Sequence, residues 1–362
     1  MARLGDICYK ITDGSHNPPN GVPNSEFLML SSKNIYDDCI TYDDPRYLSG
    51  DDFEAENRRT QIKSGDILLT IVGTVGRVAV VPENIGNICL QRSVAVIKPK
   101  TDIVLPRFLM YQIQSMKELL EKEAKGVAQK GIYLTQVENL PIKTFEYDIQ
   151  KTIVSHLDDV CNLISLRKQQ LSKLDELVKA RFVELFGDYR INEKGFDCKK
   201  GSELFKFSSG KFLPEEKRFD EGTPVYGGNG IAWYTNEYLI DYPTIIIGRV
   251  GAQCGNIHAV TTPVWITDNA IYIKEQKTKA YTLEFLTELM RMMDFYQYAD
   301  FSGQPKITQK PLETLDYIMP PIELQNEYTA FVKQTDKSKL EIQKSLEKLE
   351  TLKKALMQKY FG

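Results

Sequence analysis

The chain has 362 residues, and its 46 basic and 49 acidic residues give a formal net charge of −3, with 42% hydrophobic residues. This length predicts two or three domains, and the hydrophobic share excludes an intrinsically disordered chain. The acidic excess excludes a broad nonspecific nucleic-acid binder, which needs a surplus of basic residues.

The first element along the chain is a head over residues 1–147. Short β-rich runs at 66–72, 78–81 and 94–97 are separated by Gly, Pro, Asn and Asp, which is typical of short strands joined by turns. One helix is predicted after the strands, over 106–124. The head is therefore predicted to be α+β.

The next element is a tail over 148–187, which has no Gly or Pro before Gly187. Apolar residues follow alternating steps of three and four, a pattern typical of a coiled-coil helix. The residues of this stripe are Leu157, Val160, Ile164, Leu171, Leu174, Val178 and Leu185. The tail is predicted to be one long helix that ends at Gly187.

A second head, over 188–321, and a second tail, over 322–362, follow in the same order. Strands are predicted at 244–247 and 270–273, and a helix at 282–298. The apolar stripe of the second tail comprises Val332, Ile342, Leu346, Leu349, Leu356 and Tyr360. Each tail is either an independent surface helix or half of a coiled coil formed with the other tail. We favour pairing, and the head between the tails makes the paired helices antiparallel.

The two copies match at a constant offset of 175 residues, the signature of an internal repeat. The matches include Gly73-x-Val75-Gly76 with Gly248-x-Val250-Gly251, Ile132 with Ile307, Gln150 with Gln325, and Phe186-Gly187 with Phe361-Gly362. The copies agree in their tails and diverge in their heads. The predicted fold is thus α+β, with two globular domains separated by two long antiparallel helices that form a coiled coil, related by an internal pseudo-twofold repeat.

Motifs for catalysis are incomplete. Residues 17–20 (Asn-Pro-Pro-Asn) resemble the loop of amino-methyltransferases, but that loop ends in an aromatic residue that stacks on the flipped base. The Gly-x-Val-Gly turns lack the Lys-Ser/Thr pair of a phosphate-binding loop. The three histidines are isolated in sequence, so we predict neither a metal site nor a nucleophile-base pair. The chain is predicted to be a binding protein, not an enzyme.

Targeting signals are also missing. No apolar run approaches the roughly 18–20 residues of a membrane span, and residues 1–6 are not followed by an apolar signal core. The six cysteines lie far apart and form no CxxC pair, which argues against a local zinc site and a disulfide framework. We therefore expect a cytoplasmic protein that does not bind membranes.

Several turns carry the side chains that read base edges in DNA, namely Arg, Lys, Asn, Gln, Ser and Thr. Each turn alone is also compatible with an ordinary solvated loop, but several fall at corresponding places in the two heads. The first head supplies the candidates Ser15, His16, Asn17, Lys33, Asn34, Arg77, Gln91, Arg92, Gln129 and Lys130. The second head supplies Lys211, Asn229, Arg249, Asn269, Gln304 and Lys306.

This layout resembles the DNA-specificity subunit of Type I restriction-modification systems, over essentially the whole chain. The residues that carry the resemblance are Ser64-Gly65-Asp66-Ile-Leu-Leu-Thr70 leading to Gly73-x-Val-Gly76, Ser302-Gly-Gln-Pro-Lys-Ile307, Leu140-Pro141 with Gln150, and Tyr226-Gly-Gly-Asn-Gly230. The first head departs from the pattern, with Gly126-Val-Ala-Gln-Lys-Gly131 in place of the Gly-Gln-Pro form.

The resemblance implies that each head is a target-recognition domain that reads one half of a split, asymmetric sequence in double-stranded DNA. It implies that the paired helices act as a ruler between the halves. Such subunits are noncatalytic, and they carry two modification subunits (methyltransferases) and, for restriction, motor-nuclease subunits. S-adenosylmethionine, Mg and ATP are then expected only on those partner subunits, and this chain is expected to bind no cofactor and no metal.

Helix faces outside the main stripe are expected to bind the partner subunits. The candidates on the first tail are Leu163, Leu166, Leu177 and Phe182, which alternatively widen the seam between the helices. Two competing functions remain open. A fused restriction or methylation enzyme would need the missing cofactor loop, whereas a coiled-coil scaffold would bind protein or carbohydrate through its heads.

Overall fold

The computed structural model describes residues 1–124 and 130–362. The chain forms two compact units, one made of Met1–Leu166 with Ser345–Gly362 and the other of Arg167–Lys344. Each unit thus combines a head with part of both long helices, a division that differs from the four consecutive segments expected from the sequence.

The first head contains eleven described strands and four described helices before the first long helix. The strands are β1 (Ala2–Arg3), β2 (Cys8–Asp13), β3 (Phe27–Leu30), β4 (Ile35–Tyr36), β5 (Cys39–Ile40), β6 (Arg46–Tyr47), β7 (Ile67–Thr70), β8 (Val78–Val80), β9 (Asn87–Leu90), β10 (Val94–Pro99) and β11 (Pro141–Ile142). The helices are α1 (Gly50–Thr60), α2 (Pro106–Ser115), α3 (Lys117–Glu123) and α4 (Leu134–Glu138), and α5 (Tyr147–Phe186) follows.

The second head repeats this plan with fewer strands. They are β12 (Asp197–Lys200), β13 (Phe205–Ser209), β14 (Thr223–Gly227), β15 (Gly230–Thr235), β16 (Thr244–Gly248), β17 (Ile257–Val260), β18 (Trp265–Ile266), β19 (Ala270–Gln276) and β20 (Asp316–Met319). The helices are α6 (Gly201–Leu204), α7 (Leu283–Met292) and α8 (Gln309–Thr314), and α9 (Ile322–Phe361) follows. The prediction of an α+β chain is confirmed.

The two heads share one sheet topology. The first has an antiparallel sheet of order β2-β10-β7-β8 and a smaller sheet β6-β3-β9, in which β3 and β9 are parallel. The second has β13-β19-β16-β17 and β15-β14-β18, in which β14 and β18 are parallel. At the centre of each head, a four-stranded sheet therefore lies between a helical layer and a smaller mixed sheet, and further two-stranded sheets (β1-β11 and β4-β5 in the first head, β12-β20 in the second) complete the heads.

Alternation along the central strand builds this arrangement. Successive side chains of a strand point to opposite faces, so Ile67 and Leu69 pack with Phe108 of α2, whereas Leu68 packs with Leu30 of β3. The central strand β16 of the second head divides its isoleucines in the same way between two core clusters. The continuous apolar runs of the sequence are thus strands buried on both faces.

The long helices α5 and α9 each have 40 residues, and their first residues lie 175 apart. Within the second unit, Lys339 Nζ lies 2.6 Å from Asp175 Oδ1, and the Tyr328 hydroxyl lies 3.5 Å from the Val178 carbonyl. These pairs follow an antiparallel order. The residues of both predicted stripes are buried or half-buried.

Other helix predictions needed correction. The helix predicted over 106–124 is broken at Met116, whose ψ of 9° is not helical, so α2 and α3 are separate. The helix predicted over 282–298 ends at Met292, and a short 3-10 turn follows Asp294, which has a φ of 46°.

The match of the Gly-x-Val-Gly motifs at offset 175 was wrong in structural terms. The Gly73 N–H donates to Lys130, and the equivalent bond comes from Gly251 to Pro305, so Gly73 corresponds to Gly251. The turn that starts from β7 closes with Thr70 bonded to Arg77, whereas the turn from β16 closes with Gly248 bonded to Asn256 and is one residue longer.

No helix in the described part of the chain has the length and apolar composition needed to cross a bilayer.

Candidate nucleic-acid interface

A groove of about 670 Å³ lies in the first unit where β2 and β7 end. Its floor is apolar, and charged or aromatic side chains stand at its sides. The lining residues are Asp13, His16, Arg59, Ile71, Val72, Arg92, Gly131, Ile132, Tyr133, Leu134 and Thr135. His16 and Arg92 were predicted from the sequence to contact DNA, and the structure brings them together here.

A buried carboxylate organises one side of this groove. The side chain of Asp13 is 9% exposed, and it pairs with Arg59 at the end of α1 and with His16, whose Nε2 lies 2.7 Å from Asp13 Oδ2. The Arg59 side chain is 51% exposed, so its guanidinium remains at the surface while it pairs with Asp13. Arg92 forms no ion pair among the described residues. Its guanidinium can therefore pair with an acceptor of a bound ligand.

Close packing of backbone holds Arg92 at the mouth of the groove. The Arg92 N–H donates to the Ser15 carbonyl at 2.9 Å, and the Ser15 N–H donates to the Leu90 carbonyl at 2.7 Å. A Cβ on Gly14 would lie 2.0 Å from the Leu90 oxygen, so only glycine fits between these strands. The position of Arg92 is thus set by the sheet rather than by a mobile loop.

A second, basic cleft of about 330 Å³ surrounds the turn after β7. Arg77, Lys117 and Lys130 contribute cations to its lining, and Glu121 is the acidic residue of that lining. The Arg77 guanidinium lies 4.7 Å from the centre of the Tyr36 ring, a cation–π contact that orients it. This combination suits a phosphate group.

The second unit has the same backbone arrangement at the equivalent place but carries different side chains there; this surface is termed the second groove. The Ile132 N–H donates to the Ile71 carbonyl at 2.8 Å in the first unit, and the Ile307 N–H donates to the Arg249 carbonyl at 2.8 Å in the second. Arg249 therefore corresponds to Ile71, and Ile307 corresponds to Ile132. Gly210 repeats the close approach of Gly14, with its Cβ position 2.1 Å from the Thr267 oxygen. By this backbone equivalence, the positions that correspond to the lining of the first groove are Ser209, Phe212, Arg249, Asp268, Lys306 and Gln309, with Lys211 and Asn269 beside them.

Two further predicted residues lie close to that groove. Gln304 contacts the turn after β16, because its Nε2 lies 3.5 Å from the Cβ position of Gly251. The Asn229 side chain accepts a hydrogen bond of 3.0 Å from Asn256. Both side chains are exposed, so the Gln304 amide and the Asn229 Nδ2 can still donate to a ligand.

His258 lies beneath the loop that carries Asn229. Its Cε1 lies 3.5 Å from the Cβ position of Gly230, and its ring is 5.9 Å from that of Tyr226. Burial, with a smaller effect from Arg291, lowers the pKa of His258 below its ordinary value. The Nε2 atom is buried without a hydrogen-bond partner in the described structure, which favours a neutral ring.

Two predicted contacts are corrected by burial. Asn34 is 1% exposed, and its side chain accepts from Ser31 N at 3.0 Å and donates to the Asp43 carbonyl at 2.9 Å, so it stabilises its own turn. Ser15 is 8% exposed, and its carbonyl is engaged by Arg92. Neither side chain is presented to DNA.

The remaining predicted residues of the first head are placed as follows. Asn17 is exposed beside His16, and Gln91 is half-buried in a bridge with Ser15. Lys33 is exposed and paired with Asp44. Gln129 lies outside the described residues.

Sequence reasoning missed several residues that the structure places at the two grooves. Asp13, Arg59 and Tyr133 line the first groove, Lys117 lines the basic cleft, and Phe212 lies at the position equivalent to His16. Tyr133 and Phe212 are 70% and 66% exposed. Arg59 and Lys117 lie at helix ends rather than in motifs, so the sequence carries no local signal for them.

The predicted partner-binding residues of α5 divide into two groups. Leu163, Leu166 and Leu177 are 44%, 53% and 48% exposed, respectively. Phe182 is wrong as a docking residue, because it is fully buried and stacks on Phe285 with ring centres 5.7 Å apart. The helical period brings Phe182 to the face that packs against the second head.

Comparison with known proteins identifies the family of these two units. The family described as "Type I restriction modification DNA specificity domain" matches residues 30–176 and 193–354, which is more than half of the chain. The chain is 27% identical over 162 residues to the EcoprrI type I restriction enzyme specificity subunit of Escherichia coli, a match that covers 44% of this chain and 39% of that protein.

The EcoBI specificity subunit of the same organism is 26% identical over 186 residues, with 50% of this chain and 38% of that protein covered. The chain thus matches about two fifths of the length of these relatives. The S subunit of a Type I restriction-modification system from M. genitalium has the same fold, with a TM-score of 0.62, 18% identity and coverage of 100% of this chain and 95% of that one.

Proposed function

Because the chain belongs to the family of Type I restriction-modification DNA specificity domains, we propose that it is the subunit that recognises the DNA target of such a system. It would read a bipartite, asymmetric sequence, one half with each unit, and position methyltransferase and restriction subunits on that DNA. The comparisons favour this function over a coiled-coil scaffold that binds protein or carbohydrate.

One observation carries the proposal: two grooves with equivalent backbones have different side chains. Arg92 and Ile71 of the first groove correspond to Asp268 and Arg249 of the second, because Ser93 and Asn269 accept the same hydrogen bond from the facing strand. An equivalent frame with different donors and acceptors is what two readers of different half-sites require. A shared small-molecule site would need the same chemistry in both.

Charge supports specific rather than nonspecific binding. The whole chain carries a net charge of −3, so backbone attraction is weak. Arg92 in the first groove, and Arg77 and Lys130 in the adjoining cleft, have no ion pair among the described residues. We expect tight binding to depend on basic surface supplied by the partner subunits.

The long helices would hold the partners. In this proposal, α5 and α9 form the antiparallel coiled coil predicted from the sequence, and their outer faces dock two copies of the modification subunit. Leu177 and Leu352, which lie 175 residues apart, are both exposed, at 48% and 45%. Equivalent exposed leucines suit two copies of one partner.

This subunit would do no chemistry itself. We propose that S-adenosylmethionine, Mg and ATP act on the partner subunits. The described residues contain no group of three or more His, Cys, Asp or Glu side chains able to hold a metal ion. In this proposal, the catalytic residues of the assembled complex belong to the partner subunits.

The experiment is selection from a randomised duplex library with the purified full chain, alone and with a modification subunit. We expect enrichment of a split motif whose two halves change independently when one head is exchanged. Lys211→Ala should weaken binding to that motif, whereas Arg190→Ala, which removes an arginine paired with Asp188 away from the grooves, should not. A library that enriches no motif would contradict the proposal.

A further inference from the structure

The two grooves receive their unpaired arginine from opposite sides. In the first unit, Arg92 lies on the turn before β10, and Ile71 lies across from it at the end of β7. In the second unit, Arg249 occupies the place of Ile71, and Asp268 occupies the place of Arg92. The equivalences are set by backbone hydrogen bonds, so the transposition does not depend on how the two sequences are aligned.

Each of these arginines is available to an external acceptor. Arg92 is exposed and has no ion pair among the described residues, although its neighbour Arg59 is paired with Asp13. Arg249 is half-buried and likewise has no ion pair in the described part of the chain. A guanidinium without an internal partner can pair with an acceptor of a bound ligand.

The shape of the guanidinium selects the acceptor. Two parallel N–H groups match the O6 and N7 atoms of guanine in the major groove, and this pairing discriminates strongly against other bases. A phosphate also accepts such a fork, but a phosphate contact carries no sequence information. The different placement of the arginine in the two heads favours a base contact over a phosphate contact. Two different half-sites require arginines in different places, whereas the phosphate backbone is the same in both half-sites.

Resting on the proposed function, we propose that Arg92 and Arg249 each read one guanine, one in each half-site, from opposite sides of equivalent grooves. The two residues thereby determine different base positions in the two half-sites. Ile71 and Asp268 complete the discrimination, since each replaces the arginine of the other head by a side chain that cannot donate a forked pair of hydrogen bonds.

Library selection with the full chain and its modification subunits tests this assignment. We expect Arg92→Ala to lose the preference for one guanine in one half of the motif, with a fall of roughly 5- to 150-fold in affinity for the original sequence. Arg249→Ala should do the same in the other half. Arg92→Lys and Arg249→Lys keep the charge but not the fork, and should recover less than full preference.

Moving the arginine within the second groove tests whether a guanine preference can be gained as well as lost. The double variant Arg249→Ile with Asp268→Arg places the arrangement of the first groove in the second unit, and should restore a guanine preference at a different position of the second half-site. Thermal unfolding checks that each variant is folded, and Arg190→Ala is the matched loss of one arginine.

The outcomes separate the two proposals. A wild-type chain that enriches no motif would contradict DNA recognition and the guanine contacts together. If the wild-type chain enriches a motif, but Arg92→Ala weakens all sequences equally with a smaller salt slope, Arg92 binds phosphate and the inference is overturned. A variant that alters both halves, or neither, also overturns it.

Discussion

Asp158 of α5 and Lys333 of α9 occupy equivalent positions, 175 residues apart, and each forms an ion pair with a helix of its own head. The two residues carry opposite charges, and so do their partners, Arg107 of α2 and Glu284 of α7. The Arg107 Nη2 lies 2.6 Å from Asp158 Oδ1, and Lys333 Nζ lies 3.2 Å from Glu284 Oε1. The repeat thus retains a head-to-helix ion pair while reversing its sign.

We expect Asp158→Ala to lower the free energy of unfolding by about 1–3 kcal/mol, because Asp158 also accepts a hydrogen bond of 2.5 Å from the Tyr111 hydroxyl. Lys333→Ala should cost less than about 1 kcal/mol, since the Lys333 side chain is 64% exposed. Urea unfolding measures both values, and the reverse order would show that the network around Arg107 is not a stabilising one.

The buried amides of Gln150 and Gln325 attach the long helices to their heads. Gln150 accepts from Leu105 N at 2.9 Å and donates to Ile103 and Phe145, and Gln325 makes the same three kinds of bond at the start of α7. We expect Gln150→Ala and Gln325→Ala each to cost about 2–4 kcal/mol, because buried backbone groups lose their partners.

Exposed Gln170→Ala is the control for these variants and should change stability by less than about 0.5 kcal/mol. Chemical denaturation followed by fluorescence gives the comparison. A cost for Gln150→Ala as small as that of the control would mean that the helix start is held by other contacts.

Gly14 and Gly210 should not tolerate a side chain. A Cβ at either position would lie about 2 Å from a backbone oxygen of the neighbouring segment, Leu90 or Thr267, so the two segments would have to separate. We expect Gly14→Ala and Gly210→Ala to cost more than about 3 kcal/mol or to prevent folding. Gly303→Ala, with no atom within 4 Å of its Cβ position, should be neutral. Soluble yield and melting temperature distinguish these cases.

Leu177 and Leu352 should dock the two modification subunits under the proposed function. We expect Leu177→Ser or Leu352→Ser to leave folding intact and to weaken one docking site at least tenfold, as loss of a buried apolar anchor does. Native mass spectrometry should then count one bound partner, and none for the double variant.

Leu340→Ser supplies a matched control, since Leu340 is 55% exposed but corresponds to Ser165 on the other helix. If Leu340→Ser removes a partner and Leu177→Ser does not, the equivalent leucines are not the docking surface.

His258 should make the second unit sensitive to acid. Because burial lowers the pKa of His258 in the folded chain, the unfolded chain binds the proton more readily. Its contribution to stability is therefore fully present above the ordinary histidine pKa of about 6.5, and is lost as the pH falls below it.

We expect His258→Phe to reduce this loss while leaving the melting temperature at pH 8 nearly unchanged, because the Nε2 makes no hydrogen bond within the described structure. Melting temperatures between pH 8 and pH 5 give the test. An unchanged pH profile in the variant would assign the acid sensitivity to other groups.

The sequence predicted the long helices best, because some forty residues without Gly or Pro and with a helical apolar period leave little alternative. It aligned the two Gly-x-Val-Gly motifs with each other, although they lie at different positions of their turns. The two turns differ in length by one residue, which the motif alone does not reveal. Composition also identified the loop of Asn34, but could not show that the Asn34 side chain forms its hydrogen bonds within that loop, with Ser31 and Asp43. Arg59 was missed because its role depends on a buried partner 46 residues away, Asp13.

The packing of Phe361 against Phe108, with ring centres 5.4 Å apart, has a consequence for synthesis. The ribosome adds Phe361 long after Phe108, roughly ten seconds to a minute later at ordinary rates of elongation. The second unit is continuous in sequence and can close as it emerges. The first unit, although translated first, must wait for residues 345–362 before its core is covered, so a late frameshift would damage the earliest part of the protein.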